Sequence, residues 1–145
     1  MPSPAGAVAT PMLAVTKGAF SNVVEVCTTL VRDGAAATLT AEGKAALETF
    51  YRERSEAGFR VLAVATRAIE AGQPFHRDDE REMAFVGFLL FLDPPKADAT
   101  RTLRDLAALK IDVKVITGDN RHVTGHLART LGLDPTSMLT GEALA

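Results

Sequence analysis

Hydrophobic positions recur every three or four residues in some stretches and crowd together in others, and the two patterns divide the chain. After Lys17-Gly18, the residues Phe20, Val23, Val24, Cys27, Leu30 and Val31 stand at helical spacing, which predicts an amphipathic helix ended by Arg32-Asp33-Gly34. A second helix is predicted from about Thr40, with Glu42 in its first turn and Leu47, Phe50 and Tyr51 turned inward, until Gly58 terminates it. Met12 to Thr16 reads as a short strand, and the run from Phe59 to Arg67 as a longer one. Residues 70–83 form a polar loop, after which Ala84 to Asp93 is so uniformly apolar that it predicts a strand buried on both faces and a neighbour of the preceding strand in one sheet.

Asp93-Pro94-Pro95 cannot continue a central strand, because proline lacks the N–H that the ladder requires, and a domain boundary is predicted there. Beyond it, Ala99, Leu103, Leu106 and Ala107 mark a helix, Val113 to Ile116 a strand, and Val123, Leu127 and Leu131 another helix. Helix, strand, helix in short succession predicts part of a parallel α/β unit. Residues 1–11, rich in Pro, Ala and Gly and without a period, read as a flexible lead.

Composition narrows the class. At 145 residues, with 47% hydrophobic and 23% charged residues, the chain has material for one core or two small ones. The 16 basic and 18 acidic residues are interspersed, which argues against nucleic acid or an anionic membrane surface as a partner recognised by bulk charge. Any anionic ligand must be gripped locally. The longest apolar run, Ala84 to Leu92, is too short to span a bilayer, so no membrane segment is expected in these residues, and the first residues lack the charged start of a secretory signal. Cys27 is the single cysteine and is expected as a small hydrophobe on the apolar side of the first helix, compatible with a reducing cytoplasm.

Candidate chemistry concentrates where strands give way to turns. In "DVKVITGDNR", from Asp112 to Arg121, an apolar run breaks into Thr117-Gly118-Asp119-Asn120 before the last helix, and free amides at a helix start favour a phosphate. Asp119 would repel that phosphate unless a metal or a sugar hydroxyl intervened. Lys17 at a strand end, with Gly18 permitting close backbone approach, can present an ammonium to a nucleotide, although a Lys-Gly pair is more often an ordinary solvated turn. Arg60 follows the helix-ending Gly58 and can reach a phosphate or carboxylate bidentately. His122 and His126 share a helical face, but without a third ligand they read as two solvated histidines, and no metal site is expected. The mixed-charge run Arg77 to Glu82 reads as a soluble loop.

Taken in order, Lys17-Gly18-Ala19-Phe20, Gly58-Phe59-Arg60-Val61-Leu62, Phe91-Leu92-Asp93-Pro94-Pro95-Lys96 and Thr117-Gly118-Asp119-Asn120 resemble the P-type ATPases, and the second and third are similar to the bacterial magnesium-transporting pumps. The resemblance covers about residues 12–145. It implies an α/β fold: an α+β nucleotide-binding portion at 12–93, then a partial Rossmann-like portion of the haloacid dehalogenase type at 94–145, the beginning of a phosphorylation domain. It also implies that Lys17 and Gly18 border an adenosine pocket, that Arg60 approaches the nucleotide's phosphates and that Thr117 and Gly118 hold a phosphoryl group. Asp119 would lie near the ribose, with Asp93, Pro94 and Pro95 as a hinge.

The implied ligand is ATP, bound weakly, with Mg2+ accompanying the nucleotide in a full pump on the cytoplasmic face of a membrane. The implied partner is the remainder of that pump. The family's Asp-Lys-Thr-Gly-Thr segment, which supplies the phosphorylated acid, and its later Gly-Asp-Gly-x-Asn-Asp segment do not occur in these residues, so no catalytic residue is assigned and the chain by itself is expected to be inactive. Two rival expectations accompany this one. A small haloacid-dehalogenase-like phosphatase would need an Asp-x-Asp pair near the start, and residues 1–30 contain none. A stand-alone nucleotide-binding module, or a chain that borrows strands from a partner to cover its sheet edges, is the other.

Overall fold

A computed structural model describes residues 12–70, 72 and 74–143; the expected flexible lead at 1–11 lies outside them. In chain order the elements are β1 (Met12–Gly18), α1 (Phe20–Glu25), β2 (Cys27–Arg32), β3 (Ala35–Thr38), α2 (Ala41–Glu56), β4 (Phe59–Ile69), β5 (Met83–Leu92), α3 (Ala99–Ala108) and α4 (Arg121–Leu131), with 3-10 turns at Arg77–Asp79, Pro135–Ser137 and Gly141–Ala143. The strands form a mixed five-stranded sheet in the order β1-β4-β5-β2-β3. β1 runs antiparallel to β4, β2 antiparallel to β3 and β2 parallel to β5. The mixed α/β class implied by the pattern is therefore the class observed. Two compact units divide the chain, one from Met1–Ala45 and Leu62–Leu89, the other from Ala46–Val61 and Leu90–Ala145.

In the first unit, the alternation of β4 is what the sheet requires: Ala63 and Ala65 are buried while Leu62, Val64 and Thr66 are only partly covered. The small side chains at Ala63 and Ala65 pair with Gly18 and Thr16 of β1. Ala14 of β1, Phe20 and Val23 of α1, Cys27, Leu39, Met83 and Phe85 complete the buried hydrophobic set of this unit among the described residues. Phe88 links two of them, its ring 5.1 Å from Phe85 in an edge-to-face arrangement and 5.7 Å from Phe20.

Several expectations are corrected. The helix foreseen through Val31 stops at Glu25, and Cys27–Arg32 is strand β2. Cys27, Leu30 and Val31 stand at helical spacing, but the β-branched Thr28, Thr29 and Val31 favour the pleated surface. Asp33-Gly34 does not end a helix. Both residues have positive φ, 51° and 80°, and they form the two-residue turn that joins β2 to β3 and sets Arg32 opposite Ala35. On α2, Leu47, Phe50 and Tyr51 are not buried, and the one buried residue of that helix is Ser55. Nor is β5 enclosed along its length: β2 accompanies it only over Met83–Phe85, and Leu89 to Leu92 are exposed.

Cys27 opens strand β2 rather than lying on a helix. It remains buried, and its thiol donates to the Val23 carbonyl at 3.0 Å. Burial pushes the thiol up from 9.0 to about 11, against a smaller opposite pull from the Lys44 ammonium. A folded value raised above the unfolded one means that stability is complete below about pH 9 and falls between about pH 9 and pH 11, by about 2–3 kcal/mol. A thiol reagent at pH 8 is therefore expected to label the folded protein at least tenfold more slowly than the urea-unfolded chain. Equal rates would contradict the buried, hydrogen-bonded thiol.

In the second unit, α3 and α4 pack together as their apolar spacing predicts. The strand expected at Val113–Ile116 does not form; residues 111–117 carry no regular structure, and Ile116 is 98% exposed. A strand is stabilised by the ladder beside it, and this segment adds none to the five-stranded sheet. Asp93, Pro94 and Pro95 follow the end of β5 without regular structure and with trans peptide bonds. Among the described residues no helix is long and apolar enough to cross a membrane.

Candidate functional site

Lys17 and Gly18 close β1 in the first unit, paired in register with Val64 and Ala63 of β4. Lys17 is exposed, and Gly18 is half-buried. A Cβ on Gly18 would meet the Val23 Cγ2 at 3.6 Å, ordinary contact, so packing alone does not demand glycine at this turn.

Arg60, Thr117, Gly118 and Asp119 belong to the second unit, where the structure joins two of the candidates directly. The Arg60 guanidinium donates through Nη2 to Asp119 Oδ1 at 2.6 Å, linking the start of β4 to the loop before α4 across 59 positions of sequence. Side-chain exposures of 60% and 30% make this a surface pair, worth about 0–1 kcal/mol. Its larger consequence is geometric: Asp119 holds the exposed guanidinium beside the Thr117-Gly118 turn.

Within that turn, the Asp119 amide donates to Thr117 Oγ1 at 3.1 Å. The hydroxyl thus accepts from backbone and retains its own proton to donate outward. Gly118 is exposed, and a Cβ there would meet open space. Asn120 is the N-cap of α4, with Oδ1 accepting from the amides of His122 and Val123, each at 3.0 Å. Those two donors, foreseen as free for phosphate, are consequently occupied by the chain's own side chain. Asx residues at a helix start commonly cap, which is the signal that identifies Asn120 from sequence.

His122 and His126, expected as two solvated histidines, both reach the end of α2 in this same unit. His122 Nδ1 lies 3.4 Å from Glu56 Oε1, and His126 Nδ1 lies 3.1 Å from the Glu56 carbonyl oxygen. The i, i+4 spacing placed the rings on one face, but nothing local pointed to Glu56. Among the described residues no group of three or more His, Cys, Asp or Glu side chains is arranged to hold a metal.

Residues 8–98 match the model of the cytoplasmic domain N of P-type ATPases, more than half of the chain. The chain belongs to this P-type ATPase domain family. Among its curated relatives are the magnesium-transporting ATPase, P-type 1, of Salmonella typhimurium, 32% identical over 129 residues, and its counterpart from Escherichia coli, 32% identical over 133; each alignment covers 88% of this chain. An endoplasmic-reticulum-type calcium-transporting ATPase of Arabidopsis thaliana is 31% identical over 120 residues, 81% of this chain. The chain spans 14% of the length of the two magnesium transporters and 12% of the calcium transporter.

Proposed function

We propose that the chain is the nucleotide-gripping part of a cation-transporting P-type pump, magnesium being the ion. The observation that carries this reading is the match of residues 8–98 to domain N, supported by the two magnesium-transporting relatives. Residues 12–93 would supply one wall of an ATP site, with Lys17 and Gly18 beside the adenosine and Arg60 toward the phosphates. Residues 94–145 would begin the phosphorylation domain, with Asp93, Pro94 and Pro95 as the hinge. An exposed guanidinium steered by Asp119 and a Thr117 hydroxyl with a free proton are suited to phosphate oxygens. Mg2+ would arrive with the nucleotide and offset its charge.

By this reading the residues bind ATP without consuming it. Phosphoryl transfer to a carboxylate requires amides after the acid to receive the phosphoryl oxygens. Asp93 is followed by two prolines, which have no N–H, and Asp119 is committed to Arg60. Incubation with labelled ATP and Mg2+, followed by acid quench, is expected to leave no label on the protein. Stoichiometric label that hydroxylamine removes, and that Asp119→Asn abolishes, would make the chain an enzyme in its own right.

A further inference from the structure

A groove of about 340 Å³ in the second unit is lined by Glu56, Arg121, His122, Arg129, Thr136 and Met138, and by neither Arg60 nor Asp119. Gly125 forms its floor. Arg121 and Arg129 each stand four residues from Gly125, so all three share one face of α4. Helical side chains lean toward the N-terminus, which carries Arg129 back over the glycine: a Cβ at Gly125 would lie 3.6 Å from Arg129 Nη1 and 3.5 Å from Met138 Cε. Both arginines are exposed, and neither enters an ion pair among the described residues.

Two acids lie nearby, each with a polar partner of its own. Glu56 Oε1 faces His122 Nδ1 at 3.4 Å, and Asp134, next to Pro135 on the rim, accepts from the Thr136 amide at 2.8 Å and from its hydroxyl at 2.7 and 2.9 Å. The two guanidiniums that line the groove have no acid partner among the described residues. We propose that this groove binds a phosphate-bearing small anion, held between Arg121 and Arg129. A diphosphate group fits better than a single phosphate, since the arginines are two helical turns apart, about 12 Å along the axis. Neither Lys17 nor Arg60, the proposed ATP contacts, lines this groove.

Pyrophosphate titration of the whole 15N-labelled chain, followed by amide shifts, tests this. Saturable shifts at residues 121–129 and 134–138 are expected, with a dissociation constant of roughly a millimolar that rises with salt. Arg121→Gln and Arg129→Gln are each expected to weaken binding about tenfold, because each removes a charge-assisted contact from an exposed position that the fold does not depend on. Arg101→Gln, an equal loss of charge at an exposed position of α3 that does not line the groove, is expected to leave the constant unchanged. Absence of saturable shifts at 10 mM ligand (about ten times the expected constant), or shifts that persist unaltered in both arginine variants, would overturn the proposal. Loss of pyrophosphate binding on Arg60→Gln alone would assign the anion to the other site and overturn it equally.

Discussion

Replacing Gly58 with alanine is expected to destabilise the second unit by about 2–4 kcal/mol, a large part of the stability of a small domain. Two independent terms act. Gly58 has φ of +90°, a conformation glycine adopts freely and an L-residue adopts only with strain. A Cβ at that position would also lie 2.6 Å from His126 Cδ2 and 2.7 Å from His126 Nε2, distances at which the ring must move. Moving it disturbs the contact between His126 Nδ1 and the Glu56 carbonyl, worth about 0.5–1.5 kcal/mol. The terms separate in a double-mutant cycle: on a His126→Ala background the clash disappears, so Gly58→Ala should cost less there, with the backbone term remaining. Urea midpoints of the four proteins measure this. Equal costs on both backgrounds would show that the ring does not crowd the glycine.

Phe85→Ala is expected to cost the first unit about 3–5 kcal/mol, the range for deleting a fully buried aromatic ring. Phe85 is only 1% exposed, at the point where β5 lies beside β2, and it meets Phe88 edge to face at 5.1 Å. Truncation removes that contact and leaves a cavity between strand and ring. Phe91→Ala, on the exposed half of the same strand, serves as the comparison and is expected to cost less than about 1 kcal/mol. Comparable losses in thermal or urea unfolding would mean that the two halves of β5 are packed alike, contrary to the observed burial.

The contrast within β5 also shows how far the sequence could be read. Strand β4 was legible because alternation is a local property: every second residue from Val61 to Ala65 is buried, and the pattern says so without a partner. α3 and α4 were legible for the same reason at helical period. Residues 27–31 were misread because Cys27, Leu30 and Val31 fit the helical spacing, whereas Asp33-Gly34, a hairpin turn between apolar runs, carried the decisive information. Val113 to Ile116 has strand composition and no strand, since pairing depends on neighbours that no local pattern specifies.

At the candidate site, local context singles out individual residues and says nothing of their partners. Arg60 and Asp119 were each singled out by local context, yet their ion pair spans 59 positions and has no sequence signature. The same holds for Glu56, which receives both His122 and His126. Asn120 had a local signal, as the polar residue preceding an apolar-periodic helix. Its side chain occupies two amides on which the phosphate reading of that helix start relied. The phosphate contacts proposed here consequently rest on side chains, Arg60 and Thr117.

The most direct measurement is titration of ATP with Mg2+ into the 15N-labelled chain, with Arg60→Ala as control. The account predicts saturable shifts clustered at residues 16–20 and 58–62, a dissociation constant of roughly a millimolar or weaker, and further weakening in the variant. Shifts clustered elsewhere, or micromolar affinity unaffected by Arg60→Ala, would contradict it.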